Sequence, residues 1–167
     1  TNPDSVLETW LYNATPATQT AATFRSSPYD SETFTNFTAG PITVDDNYVY
    51  VLASATMDIE PPAEYKLFVL DKYPPSGSFG TVGESDIRSG TIRDVRVLNN
   101  KVYAVDYLGM RVYDVAVPTS PAIVDFLNTP GTPSGIDTDG SYAFIASGVL
   151  LFQTVDLTVP TAPSIKG

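Results

Sequence analysis

The chain has no histidine and no cysteine in 167 residues, and these two absences remove most common catalytic equipment. Serine–histidine–acid and cysteine–histidine nucleophile systems cannot be assembled, nor can a disulfide or an ordinary zinc site. Bases are scarce too: nine Lys and Arg stand against 19 Asp and Glu, a net charge of −10. That field repels phosphate backbones and anionic headgroups, so neither nucleic acid nor membrane insertion is expected. An acidic surface with few lysines also suits high salt. No apolar run approaches a membrane-spanning length. A phosphate-binding glycine loop is missing, and so is any amphipathic helix of useful length. The lack of cysteine leaves the redox compartment open.

What the chain has instead is repetition. Asn99-Asn100-Lys101-Val102-Tyr103, Met110-Arg111-Val112-Tyr113-Asp114 and Val117-Pro118-Thr119-Ser120-Pro121 return as Gly140-Ser141-Tyr142-Ala143-Phe144, Phe152 to Asp156 and Val159-Pro160-Thr161-Ala162-Pro163. Tyr103 and Phe144 lie 41 residues apart, and Asp114 and Asp156, like Pro118 and Pro160, lie 42 apart. An earlier copy contains Asp46-Asn47-Tyr48-Val49-Tyr50 and Leu67-Phe68-Val69-Leu70-Asp71. Its Tyr50 precedes Tyr103 by 53, the excess matching an inserted stretch from Thr56 to Tyr65 that carries Pro61-Pro62. A leading half copy is read from Trp10-Leu11-Tyr12-Asn13.

Valine, isoleucine, tyrosine and threonine dominate short runs punctuated by Pro, Gly, Asn, Asp and Ser, which is strand rhythm. The clearest unit reads as four strands, Ile92 to Leu98, Val102 to Tyr107, Met110 to Val115 and Ala122 to Leu127. Four strands per forty-odd residues predict an all-β, β-propeller-like array of four-stranded antiparallel blades, about three and a half units in one domain. The expected divisions are 1–37 (half blade and connector), 38–83 (blade with loop 56–65), 84–128 (blade) and 129–167 (blade with its outer strand incomplete). Asn99-Asn100, Asp46-Asn47 and Asp139-Gly140 suit tight hairpins. Asp71, Asp114 and Asp156 end the third strand of each unit, where a carboxylate closes an Asx-type turn onto following amides. Gln153 and Thr154 break the apolar pattern of the last unit and argue against burial of that strand on both faces.

These pieces resemble the LVIVD repeats of bacterial and archaeal surface-associated propellers. The family's strand, second strand and proline turn stand here as Gly140-Ser141-Tyr142-Ala143-Phe144-Ile145, as Leu67-Phe68-Val69-Leu70-Asp71 and Met110-Arg111-Val112-Tyr113-Asp114, and as Pro118-Thr119-Ser120-Pro121. The resemblance covers roughly Thr38 to Gly167. It implies a propeller fold and an extracytoplasmic location, and it brings no catalytic residues.

Several residues are candidates for function. Asp137 and Asp139 alternate like the start of a calcium loop, although the Asp-Gly turn accounts for them, and calcium is the sole cofactor weighed. Asp45-Asp46 occupies the corresponding place earlier. Within the insertion Asp58, Glu60, Glu64 and Tyr65 are candidate binding residues, because function tends to sit in loops that break a repeat. Tyr65, Tyr73 and Tyr107 are aromatics outside the recurring positions and could stack on sugars, whereas Tyr50, Tyr103 and Phe144 recur and are expected in the core. Asn36 and, behind Pro16, Asn13 lie in Asn-x-Thr triplets open to glycosylation on an exported protein.

Three units and a half are too few to close a ring of four to eight blades, so apolar faces and strand edges are left over. The segment Val6 to Arg25, with Val6, Leu7, Trp10, Leu11 and Tyr12, is the natural one to add to a neighbouring copy. The chain opens at Thr1 without a leader, which fits an exported protein after signal removal and equally a fragment. The expected function is a non-enzymatic extracellular or cell-surface structural or adhesive module, a homo-oligomer or polymer such as a filament subunit, with glycans as a further partner class. The alternative is a ligand-binding propeller, or part of a carbohydrate-active or cation-dependent enzyme using Asp58, Asp106 and Asp137.

Overall fold

The computed structural model describes the backbone of Ser5–Thr9 and Asp30–Phe34 and residues 37–55, 64–72, 80–148 and 152–166. All regular structure in them is antiparallel sheet, and no α-helix occurs among the described residues. β1 (Ser5–Thr9) pairs with β2 (Asp30–Phe34) beside β3 (Phe37–Val44). The first large sheet runs β3, β4 (Tyr48–Ala55), β5 (Glu64–Asp71), β6 (Thr81–Glu84), with β7 (Arg88–Ser89) also on β5. The second runs β8 (Ile92–Leu98), β9 (Lys101–Asp106), β10 (Gly109–Asp114), β11 (Ala122–Asn128). The third runs β12 (Gly135–Thr138), β13 (Tyr142–Ala146), β14 (Phe152–Asp156), β15 (Ser164–Ile165).

The strands of the second sheet fall within two residues of those expected from sequence. One boundary needs correction. Arg88 and Ser89, assigned to the unit 84–128, pair with Tyr65 and Glu64 of the first sheet. β7 runs on from β6 in the same direction along β5, one residue out of register with it.

Turn chemistry explains why the hairpins form where they do. Asn99 and Asn100 hold φ of 49° and 58°, as a two-residue hairpin requires. In the other two sheets an aspartate does this work: Asp45 Oδ1 accepts from the amides of Asn47 and Tyr48, and Asp139 Oδ1 from those of Ser141 and Tyr142. The chain then crosses each hairpin in the same way, with Lys72 N donating to Asn47 O at 2.9 Å, Val115 N to Asn100 O at 3.0 Å and Leu157 N to Ser141 O at 2.8 Å. Pro41, which cannot donate to a ladder, sits at the bulge of the edge strand β3 between Ala39 and Ile42.

The sheets pack face on face in sequence order. Tyr50, Leu52, Leu67 and Val69 of the first meet Val95, Val102, Ala104 and Tyr113 of the second. Tyr103, Val105, Met110 and Val112 on the other side of the second meet Ile136, Ala143, Ile145 and Val155 of the third. The strands β3, β8 and β12 lie side by side, with β8 in the middle. Two side chains tie them: Val97 N donates to Thr43 Oγ1 at 3.2 Å, and Ile136 N donates to Asp94 Oδ2 at 3.0 Å. Gly83 lets β6 approach the proline turn of the second sheet, since a Cβ there would lie 2.2 Å from Pro118 O. The three sheets do not close on one another.

Candidate functional site

A buried polar cluster lies between the first and second sheets. Asp106, the last residue of β9, is fully buried, and its Oδ2 accepts from Arg111 Nε at 2.9 Å. Its Oδ1 accepts from the amides of Leu108 and Gly109 at 2.7 and 3.1 Å, fixing the β9–β10 turn. Tyr65 Oη approaches Oδ2 at 3.5 Å from the first sheet. Arg111 also donates to Ser89 O at 3.4 Å and stacks on Phe126, 4.6 Å from the ring centroid. Gly90 permits this crowding: its φ is +140°, and a Cβ would lie 3.2 Å from Asp106 Oδ2 and 3.3 Å from Tyr65 Cε1. Burial pushes the Tyr65 phenol up to about 12 against the pull of Arg111, so it stays neutral at physiological pH.

The next interface repeats the arrangement with neutral groups. Ser147, 41 residues after Asp106, donates to Pro130 O at 2.6 Å. Gln153, 42 after Arg111, donates from Nε2 to Ser147 Oγ at 2.9 Å and to Pro130 O. Pro130 and Gly131 stand 41 after Ser89 and Gly90, and Gly131 also holds a positive φ, of 82°. Gln153 itself is buried, at 5% exposure, because its amide is the joint between sheets, while Phe152 and Thr154 on the opposite face of β14 are not, so this strand is buried on one face only, as its polar residues lead one to expect. These clusters join sheets. Their polar atoms face protein donors and acceptors.

The candidates chosen from sequence do not converge. Tyr65 and Glu64 are not in a loop: they begin β5, and Tyr65 is fully buried because its alternation with Leu67 and Val69 places it in the core. Asp106, weighed as an acid at an open mouth, is the buried partner of Arg111. Asp137 Oδ1 accepts from Arg96 Nε at 3.3 Å, and Arg96 bonds Asp94 as well. Asp139 serves its hairpin, whose two amides hold its carboxyl below the usual range. No cluster of three or more acids able to hold a metal occurs among the described residues. Tyr107 is exposed, with the Arg93 guanidinium 4.0 Å from its ring centroid. Val6 and Leu7 pair with Thr33 and Glu32 in β1–β2, so one edge of that segment is taken within the chain. Trp10, Leu11, Tyr12, Asn13, Asn36, Asp58, Glu60 and Tyr73 lie outside the described residues.

Other assignments hold. Asp114 Oδ1 accepts from Ala116 N at 2.9 Å, and Asp156 Oδ1 from Thr158 N at 2.8 Å, closing Asx-type turns. Lys101 and Lys166 pair with these two carboxylates at 3.3 Å.

One group in the cluster is under-used. The Tyr113 hydroxyl faces that of Tyr65 in a fully buried position and has no hydrogen-bond partner of good geometry. Tyr113→Phe removes an unsatisfied donor at constant shape, and the variant is expected to gain about 0.5–1.5 kcal/mol in urea unfolding. A loss of similar size would show that the hydroxyl is bonded in solution.

No protein-family model matches this chain, and no curated protein is significantly similar to it in sequence.

Proposed function

We propose that the chain is a non-enzymatic structural or adhesive module, extracellular or at the cell surface, made of propeller-like blades and associating with copies of itself. The observation that carries this reading is the open array: three sheets packed in series do not close on one another, and a stack that does not close ends in a face. Support comes also from where the polar chemistry goes. Asp94, Asp106, Ser147 and Gln153 are engaged between strands or sheets, and Asp45, Asp114, Asp139 and Asp156 in turns. The resemblance to surface-associated LVIVD propellers favours the same location. Mass measured by light scattering across a concentration series tests the reading. Growth of the mean mass with concentration is expected, and a constant monomer mass up to millimolar chain would sink it.

A further inference from the structure

The fold leaves two kinds of surface unused. One is apolar: Phe144, expected in the core because its place recurs, is 38% exposed in the third sheet, and Ile42 on β3 is 47% exposed. The other is concave and polar. A cleft of about 390 Å³ opens between the β3–β4 and β8–β9 hairpins, a volume that suits a small ligand. Val44, Val97 and Leu98 give it apolar surface, and Asp46, Asn47, Asn99 and Asn100 give it polar groups. Among the described residues, the side chains of these last four find no hydrogen-bond or ion-pair partner.

The hairpins do not use these groups. Asp45 closes its turn on the backbone amides of Asn47 and Tyr48, as Asp139 does on those of Ser141 and Tyr142. Where the first sheet carries Asp46-Asn47, the third makes the equivalent turn with Gly140-Ser141. The turn therefore accounts for Asp45 and leaves the Asp46 carboxylate and the Asn47 amide over. Positive φ accounts for the backbone of Asn99 and Asn100, and their carboxamides stay free as well. The walls are set before any ligand arrives. Asp45 Oδ2 accepts from Tyr50 Oη at 2.7 Å, Lys72 Nζ donates to Asp45 O at 2.9 Å, and Val97 N reaches Thr43 Oγ1 from the other hairpin's strand.

We infer that this cleft binds a neutral saccharide. Three carboxamides and one free carboxylate mix donors with acceptors, which is what neighbouring hydroxyls require, since each both gives and takes a hydrogen bond. The aliphatic side chains offer a surface to the C–H face of a sugar ring. Asp46 and the net charge of −10 repel an anion. A bare cation is poorly served, because three donors already occupy the Asp45 carboxylate and only that of Asp46 is free. The site adds a ligand to the adhesive role and does not depend on self-association.

A two-dimensional amide NMR titration of the whole chain with maltotriose, cellotriose, mannotriose and chitotriose, each taken to its solubility, tests this. At least one sugar is expected to shift the amides of residues 45–47 and 97–100, with a dissociation constant on the order of a millimolar, as befits an open cleft without a stacking ring. Asp46→Gly with Asn47→Ser gives the first hairpin the sequence of the third, and Asn100→Gly suits the positive φ it inherits. Both variants should raise the dissociation constant at least fivefold at an unchanged thermal midpoint, and Ser141→Ala on the third hairpin should leave it as it is. Silence with all four sugars, shifts confined to other residues, or binding indifferent to both variants would overturn the site. Calcium chloride and butylamine are titrated in parallel, and a response to either at these amides without one to the sugars would also overturn it, giving the cleft to a cation.

Discussion

Asp106→Ala is expected to lose roughly 3–5 kcal/mol of stability, a third or more of what a domain of this kind has to spare. The variant leaves the Arg111 guanidinium, only 14% exposed, without the acceptor of its 2.9 Å bond. It also orphans the amides of Leu108 and Gly109 in the tight turn. Urea unfolding followed by circular dichroism reads the loss directly, as a fall in midpoint at constant slope. Asp106→Asn, which keeps the shape and removes the charge, should fall between. Replacing both groups, Asp106→Leu with Arg111→Met, should recover part of the loss, because the cost lies in an uncompensated charge rather than in absent attraction. A single-variant loss below about 1 kcal/mol would mean that water reaches Arg111 and that the pair is not a joint.

Raising the pH above 10 is expected to unfold the protein through its interior tyrosines. Burial raises the phenols of Tyr50, Tyr65, Tyr103 and Tyr113 above their ordinary value of 10.0, with the Asp45 carboxylate adding to the rise at Tyr50. The folded state therefore keeps protons that the unfolded chain gives up. Their contribution is fully present below pH 10 and is lost as pH climbs towards the folded values, about 12 for Tyr65. Each strongly raised phenol lowers stability by about 1.4 kcal/mol per pH unit, so Tyr50, Tyr65 and Tyr113 together lower it by about 4 kcal/mol per unit, close to the entire stability of a small domain. Tyrosinate absorbance recorded together with far-ultraviolet circular dichroism checks this. The interior tyrosines should ionise in step with loss of the sheet signal. A smooth titration of all ten near pH 10 with the sheets intact would refute it.

Much of the fold was legible because strand alternation and turn chemistry are local. Asn99-Asn100 and Asp139-Gly140 encode their hairpins within a few residues, and Asp114 and Asp156 encode theirs by reaching two residues on. The polar joint was not legible, because its parts are strangers in sequence: Tyr65 reaches Asp106 across 41 residues, and Gln153 reaches Pro130 across 23. One signal was available. Aligning the units puts Asp106 over Ser147 and Arg111 over Gln153, two polar pairs in strands that otherwise run apolar, and a recurring polar pair in a core position implies a shared partner. Phe144 shows the opposite limit. Its place in the repeat matches two buried tyrosines, yet burial depends on having a following sheet, which residue identity alone does not convey.

The ties between β3, β8 and β12 have a mechanical corollary. Thr43 to Val97 and Asp94 to Ile136 link each sheet only to its neighbour in the chain, as do the two apolar contacts. A linear stack of this kind transmits load from one link to the next, with no ring to share it. Pulled from its ends, such a chain is expected to yield one sheet at a time. Length would then be released in steps of some forty residues, a stroke set by the repeat.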